Sequence, residues 1–341
     1  MNRSELTVDV GALRRNVATL LRAANGAELW AVVKANAYGH GMVDAASAAL
    51  GAGASGLCVA TIPEGLALRD ELRLARIVVL GPASSSREVV HAREAGLELA
   101  IANDEIPQGV PVHLKLDTGM GRYGLAELPA PPVEVVGLMT HLATADSDLD
   151  FAREQLARFT AATDAYSGLL TRHAANSAAT LRLPESHFDA VRCGVAVYGL
   201  SPFDGDPADD GLEPVLSWQS FLAQVKQLQP GDSAGYGRRF VAAEATWIGV
   251  VPVGYGDGFS RDLTGTEVRV AGELCPVVGT ISMDSLAVRL PRQLPEGAPV
   301  VLLGHGVLAE SHARVAGTIN YEIVCGVRSG PLRARRTVVD D

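Results

Sequence analysis

The sequence predicts an α/β fold in two parts, an N-terminal (β/α)8 TIM-like barrel over residues 1–212 and a C-terminal, mostly antiparallel β-domain over 213–341. Three observations carry this expectation. Short apolar runs alternate with amphipathic helical patterns about eight times in the first two-thirds of the chain, as strand–helix units of a barrel do. Beyond about residue 212, strand-like runs follow one another through turns with no long helix between them. A length of 341 residues also exceeds one typical domain.

The barrel strands are expected at 31–37, 56–61, 76–81, 98–102, 110–116, 135–141, 172–175 and 190–197. Helical patterns occupy 42–52, 63–73, 86–95 and 151–170. In the last of these, Leu156, Phe159, Ala162 and Tyr166 recur at three- and four-residue spacing, an apolar stripe suited to covering a barrel. Pro202-Phe203-Asp204-Gly205-Asp206-Pro207 reads as the linker region. The β-domain runs are 215–228, 246–254, 267–271, 274–281, 285–290 and 299–303, separated by turns such as Pro230-Gly231-Asp232 and Pro295-Glu296-Gly297.

Composition excludes several classes. A net charge of −10 and 5% aromatic residues argue against nucleic-acid binding. No apolar stretch approaches the ~20 residues of a membrane span, and the N-terminus lacks a signal-peptide apolar region. Cys58, Cys193, Cys275 and Cys325 are widely spaced without a CxxC pair, which fits free thiols in a reducing, cytoplasmic setting. No metal is expected: the histidines show no HExxH spacing, and His91, His187 and His312 read as surface residues.

Chemistry in a barrel gathers at the C-terminal ends of the strands. Lys34 and Tyr38 follow the first strand, and Lys115, Asp117 and Arg122 follow the fifth. His141 ends the sixth, Asn176 and Ser177 follow the seventh, and Arg192 to Tyr198 occupy the eighth. Lys34 is the most informative of these. In Ala31-Val32-Val33-Lys34-Ala35-Asn36-Ala37-Tyr38-Gly39-His40-Gly41 it stands between a buried apolar run and a glycine-marked turn. An amine with its stem in apolar surroundings is poised for imine formation, because desolvation disfavours its cation. The ring of Lys, Tyr, His and Arg with glycine turns and a late Ser suggests a bound anion, with phosphate the usual choice.

These segments resemble the signature motifs of the bacterial alanine racemases. The lysine run is matched by Lys115-Leu116-Asp117-Thr118-Gly119-Met120-Gly121-Arg122, Met139-Thr140-His141-Leu142, Ala174-Ala175-Asn176-Ser177-Ala178 and Arg192-Cys193-Gly194-Val195-Ala196-Val197-Tyr198-Gly199. The β-domain adds Gly254-Tyr255-Gly256-Asp257-Gly258, Ser282-Met283-Asp284 and Thr318-Ile319-Asn320-Tyr321-Glu322 in the family's order.

The resemblance implies the cofactor pyridoxal 5'-phosphate (PLP), a small amino-acid substrate and D-alanine supply for peptidoglycan. Lys34 would hold the cofactor covalently and serve as base toward the D-substrate, with Tyr255 as the opposing base toward the L-substrate. A free tyrosine has a pKa of ~10, so it needs help from positive charge, which the resemblance assigns to His141 and Arg192. Arg192 would also face the PLP pyridine nitrogen. Tyr38, Ser177, Tyr198 and the amides of Gly194 and Val195 would hold the phosphate. Arg122, Met283 and Asp284 would meet the substrate, and Lys115 stands at a position carbamylated in several family members.

The resemblance further implies a head-to-tail homodimer with shared active sites, the β-domain of each chain contributing the second base to its partner's site. Two departures bear on specificity: Thr280 stands where relatives commonly carry arginine, and Ser329 where many carry a tyrosine that narrows the substrate mouth. A broad-specificity or serine/lysine racemase is therefore the alternative on the same fold, and a non-catalytic PLP carrier the alternative of another class.

Overall fold

The structure, a computed structural model, describes residues 2–304 and 306–341. They form two compact units: one comprises Leu13–Phe203 and Ala208–Glu213, the other the N-terminal residues to Ala12, Asp204–Pro207 and Pro214–Asp341. Strand β1 (Glu5–Asp9) belongs to the second unit, and its alternating burial, with Leu6 and Val8 inside, is that of a strand with one wet face.

The first unit is the barrel. Its strands are β2 (Glu28–Val32), β3 (Gly56–Val59), β4 (Ile77–Val79), β5 (Glu98–Ile101), β6 (Val112–Lys115), β7 (Val135–Met139), β8 (Thr171–His173) and β9 (Ala190–Cys193). All neighbours are parallel, in the order β8-β7-β6-β5-β4-β3-β2-β9. The seam beside β8 and β9 is tied by Asp189 N to Arg172 O at 3.0 Å and Arg192 N to Ala175 O at 2.9 Å. Strands such as Ile77–Val79 are buried along their whole length, as parallel strands covered by helices are. The covering helices include Met42–Gly51, Ile62–Glu71, Ser86–Glu94 and Leu149–Thr163, and the last three begin at side-chain caps from Thr61, Ser85 and Asp148.

Several element boundaries differ from the sequence reading. The strand expected over 190–197 ends at Cys193 and gives way to a 3-10 turn over Val195–Tyr198, and two further differences bear on the site and its covering helix. The strand expected over 31–37 ends at Val32, and the backbone turns left-handed from Ala35 onward. The helix expected to reach residue 170 stops at Thr163, whose hydroxyl bonds back to Phe159 O at 2.8 Å while its own φ of −120° leaves the helical range. Tyr166 then falls in a short 3-10 turn, and the buried stripe is Leu156 and Phe159.

The second unit is built on a nine-stranded sheet. The run 215–228 divides into β10 (Leu216–Phe221) and β11 (Gln224–Leu228), and β12 (Ser233–Ala234) with β13 (Phe240–Val241) forms a separate small ribbon. The rest are β14 (Thr246–Val251), β15 (Glu267–Val270), β16 (Glu273–Val278), β17 (Leu286–Leu290), β18 (Pro299–Leu303) and β19 (Arg335–Val339). The order β11-β14-β17-β16-β15-β18-β10-β1-β19 is antiparallel except for β1 beside β19. Thus both ends of the chain lie side by side in one sheet.

Two histidines expected at the surface are buried. His187 Nε2 lies 3.1 Å from Thr180 O, and His312 is held by Thr266 Oγ1 and Leu302 O, each at 2.7 Å. Satisfied imidazoles of this kind are core residues. Cys58, Cys193, Cys275 and Cys325 are free thiols. No helix among the described residues is long and apolar enough to cross a membrane.

Candidate active site

Lys34 stands immediately beyond β2, at the C-terminal mouth of the barrel. The four residues after it, Ala35, Asn36, Ala37 and Tyr38, all have φ between 52° and 55°. Consecutive left-handed residues without glycine cost about 1–2 kcal/mol each, so the surroundings must impose the turn. Ala37 N bonds Val33 O at 2.9 Å and Gly39 N bonds Ala35 O at 3.1 Å, closing it from within. Glu64 anchors it from outside. Its Oε1 accepts from Ala35 N at 2.8 Å, while its Oε2 accepts from Ala60 and Thr61 at the start of the next helix. The result swings Tyr38 back into the barrel wall, with its ring 5.0 Å from that of Tyr198.

Arg192, near the end of β9, is a buried cation of this mouth, as is Lys115. Its Nη1 lies 2.7 Å from His173 Nδ1 and 2.9 Å from His173 O. Its Nη2 lies 2.8 Å from Thr140 O, 3.2 Å from Ala174 O and 3.4 Å from His141 Nδ1. None of these partners is a carboxylate. Burial pushes the guanidinium down to about 10, which still leaves it charged at neutral pH. His141 is pushed down to about 3, first by burial and then by Arg192, Lys115, Arg122 and Lys34. Lys115 is pushed down to about 8, first by burial and then by Arg122. Lysines, arginines and a neutral imidazole therefore share one electropositive field at the strand ends.

A small cup lies beside them. Ser177 opens a short helix, and its Oγ accepts from Gly194 N at 3.0 Å and Ala196 N at 3.4 Å. The Tyr38 hydroxyl hangs over Gly194, where a Cβ would come within 2.4 Å of it, so only glycine admits that ring. Tyr198 is wholly buried, donates its hydroxyl proton to Val32 O at 2.8 Å and stacks on His40 at 4.6 Å. Hydroxyls, backbone amides and nearby cations make this cup suited to a phosphate. Cys193 beside it is a poor nucleophile, its thiol pushed up to about 12 by burial. Arg122 is exposed, on a turn held by Asp117, whose carboxylate accepts from Gly119, Met120 and Gly121 N–H groups at 2.8–3.2 Å.

The β-unit brings its own three candidates together. Tyr255 N bonds Ser282 O at 3.1 Å and Gly256 N bonds Met283 O at 2.9 Å, so the tyrosine turn and the Met283–Asp284 loop are one assembly. Tyr255, Met283 and Asp284 are all exposed, Tyr255 at 40%. Beneath them Asp257 is 1% exposed and receives Gly254 N at 3.0 Å and Arg3 Nη2 at 2.7 Å. Arg333 completes the set, with Nε in ion-pair contact 2.9 Å from Asp257 and Nη2 2.9 Å from Asp284 Oδ1. Thr280 is buried and bonded to Tyr236 O at 2.9 Å, and Ser329 is half-buried in the tail.

Sequence reasoning missed Arg3, Arg333, His113, His173 and Glu98. The arginines act over a separation of 254 residues in the case of Arg3 and Asp257, which no local pattern reveals. The histidines did leave a signal: His113 stands two residues before Lys115 in a strand, and that spacing puts both on the same face.

Family models described as alanine racemase, N-terminal domain, and alanine racemase, C-terminal domain, match residues 8–202 and 215–336. The alanine racemase of Symbiobacterium thermophilum is 42% identical, over 94% of this chain and 93% of the relative. The crystal structure of the Pseudomonas aeruginosa biosynthetic alanine racemase is similar, with a TM-score of 0.90 and 34% identity over 99% of each chain. That of the alanine racemase from D-cycloserine-producing Streptomyces lavendulae gives 0.89 and 34%, over 100% of this chain and 98% of the other.

Proposed function

Since the chain belongs to the alanine racemase family of PLP-dependent isomerases, we propose that it interconverts L- and D-alanine with Lys34 and Tyr255 as its two bases, supplying D-alanine for peptidoglycan. The observation that carries this reading is the placement of Lys34 at the barrel mouth on an enforced left-handed turn, in one electropositive field with Arg192, His141 and Lys115.

The residues present fit the cofactor. The glycine-lined cup under the Tyr38 hydroxyl would receive the phosphate, with the Ser177 hydroxyl and the Val195 amide as donors, joined by the Gly194 amide once its bond to Ser177 Oγ is released. Tyr198, its proton committed to Val32 O, supports the cup through its ring. When bound, PLP supplies the electron-withdrawing ring that acidifies the α-C–H of the amino acid. Arg192, which stays protonated at neutral pH, would donate to the ring nitrogen without giving up its proton, and would so leave the ring a weak electron sink that favours reprotonation at the α-carbon over side reactions. With both Nη groups committed to His173, Thr140 and Ala174, Nε is the group left to serve as that donor.

Lys34 Nζ would take the α-proton from D-alanine while Tyr255 Oη delivers one to the opposite face, and the roles would reverse for L-alanine. The positive field of Arg192, with neutral His141 beside it, assists the tyrosine. Arg122 and the Met283–Asp284 loop orient the substrate carboxylate. Lys115 is the site of carbamylation: a buried amine at about 8 is partly neutral at physiological pH, and adding CO2 with loss of a proton makes an anion that pairs with Arg122 instead of repelling it.

Tyr255 and Met283 are exposed side chains on joined loops, and a second copy of the chain in a head-to-tail homodimer buries them against its own barrel mouth. Four free cysteines accord with residence in the cytoplasm. The half-buried Ser329 favours a second reading, a racemase of wider substrate range, because it does not narrow the mouth as a tyrosine would.

Racemisation of L-alanine, L-serine and L-lysine in parallel, followed by chiral chromatography with PLP present, separates these readings. Turnover of alanine alone is expected. Comparable rates on the larger substrates would shift the protein to the broad-specificity class, and no turnover would leave a PLP carrier.

A further inference from the structure

Arg192 carries a buried charge without touching a carboxylate, an arrangement that is costly unless the charge is compensated elsewhere. A hydrogen-bonded line leads to the compensation. Arg192 Nη1 lies 2.7 Å from His173 Nδ1, His173 Nε2 lies 2.9 Å from His113 Nδ1, and His113 Nε2 lies 2.7 Å from Glu98 Oε2. A guanidinium can only donate and a carboxylate can only accept, so both ends dictate the same direction. His173 must accept at Nδ1 and donate from Nε2, and His113 must do the same. A second proton on either ring would break one bond of the line. Burial, the largest influence on both rings, favours their neutral forms.

The line is a built feature of the barrel interior. His113 and Lys115 project from the same face of β6, and Gly137 on β7 leaves the space for the imidazole, since a Cβ there would lie 2.1 Å from His113 Nδ1. Trp30 packs against both rings, with centroids at 5.6 and 4.6 Å. Arg76 fixes Glu98 by Nε at 3.0 Å and Nη2 at 3.1 Å. Glu98 begins β5, whereas Lys34 follows the end of β2, so in a parallel barrel the line runs from one end of the interior to the other.

We propose that Glu98 and His113 are positioning residues for Arg192, fixing from the far end of the barrel the tautomer of the imidazole against which the guanidinium is held. Glu98 thereby serves as the distant counter-ion of the cation that faces the cofactor ring. This rests on the reading of Arg192 as the partner of the ring nitrogen.

The test uses holoenzyme carrying 15N-labelled histidine and, separately, 15N-labelled PLP. His113 and His173 should both resonate as neutral imidazoles protonated at Nε2; either ring found as a cation or protonated at Nδ1 overturns the proposal. Glu98→Gln replaces a pure acceptor by an amide that can also donate, and kcat for alanine should fall about tenfold with KM changed less than about twofold, as when the outer partner of a metal-ligating histidine is removed. The ring-nitrogen resonance of the cofactor should move in the same variant. His113→Phe keeps the ring volume and the Glu98–Arg76 pair, and should give the same two changes while the protein melts cooperatively. Unmoved ring-nitrogen resonances in both variants, with a moved one in Arg192→Lys, would overturn the relay alone. An unmoved resonance in Arg192→Lys would instead overturn the reading of Arg192.

Discussion

In the proposed mechanism Lys34 and Tyr255 act as bases on opposite faces of the substrate, and substitutions can separate them. Lys34→Ala should abolish the covalent attachment of PLP and its absorbance near the imine band; an unchanged spectrum would exclude Lys34 as the attachment point. Tyr255→Phe should leave that band intact. Enantiomers have equal energy, so any loss in this variant must fall equally on kcat/KM in both directions and cannot reveal which face was disabled. Exchange of the α-proton with deuterated water can. D-alanine should still exchange through Lys34, while exchange of L-alanine should fall by at least about a hundredfold, within the range of a lost general base. Equal loss for both enantiomers, or loss of cofactor, would make Tyr255 a structural residue. His141 supplies a pH signature. It is neutral in the fold down to about 3, whereas in the unfolded chain it takes a proton near 6.5. Its contribution to stability is therefore complete above about pH 6.5 and is lost as the pH falls toward 3, because the unfolded state binds the extra proton. His141→Asn should flatten the acid limb of the stability profile by about 1.4 kcal/mol per pH unit in that window, as read by denaturant melts.

The elements that carry these residues were unequally legible. Barrel strands such as Ile77–Val79 and Gly56–Val59 announce themselves because both faces are covered, which forces continuous apolar runs. The turn after β2 does not, since of the Ala, Asn, Ala and Tyr that fill its four left-handed positions only Asn36 visits that region readily, and a run of four is not signalled by one Asn. Tertiary bonds, above all from Glu64 to Ala35 N, impose it. Ala35 is exposed, so Ala35→Gly should relieve backbone strain without removing a contact and stabilise the protein by roughly 0.5–1 kcal/mol, the reverse of its effect in an ordinary helix. A lower melting temperature would mean the turn is not strained. The Tyr255 turn was legible as a motif but its support was not, because Arg3 precedes β1 and Arg333 precedes β19, and only the pairing of these strands brings both arginines to Asp257. Asp257→Asn weakens both ion pairs at once. It should lower kcat about tenfold or more while the cofactor spectrum, which reports on the barrel, stays unchanged. A variant with normal kcat would show that the turn holds itself.

At the scale of the whole molecule, the residues of the proposed mechanism are divided between two compact units. The barrel holds Lys34, Arg192 and the phosphate cup, and the β-unit holds Tyr255 with the Met283–Asp284 loop. Division of this kind suits an isologous dimer, in which each β-unit serves the other chain's barrel and one symmetric contact completes two sites. The arrangement makes a prediction that a site assembled within a single chain does not share. In a hybrid dimer of one Lys34→Ala chain and one Tyr255→Phe chain, one site inherits both defects and the other inherits none. Co-expressing the two inactive variants gives about half of the dimers as hybrids with one intact site of two, so activity should return to roughly a quarter of that of the unaltered protein. Each variant alone should stay inactive at every concentration. A co-expressed mixture without recovered activity, shown by tagged purification to contain hybrids, would place Lys34 and Tyr255 of the same chain in one site and would remove the reason for an obligate dimer.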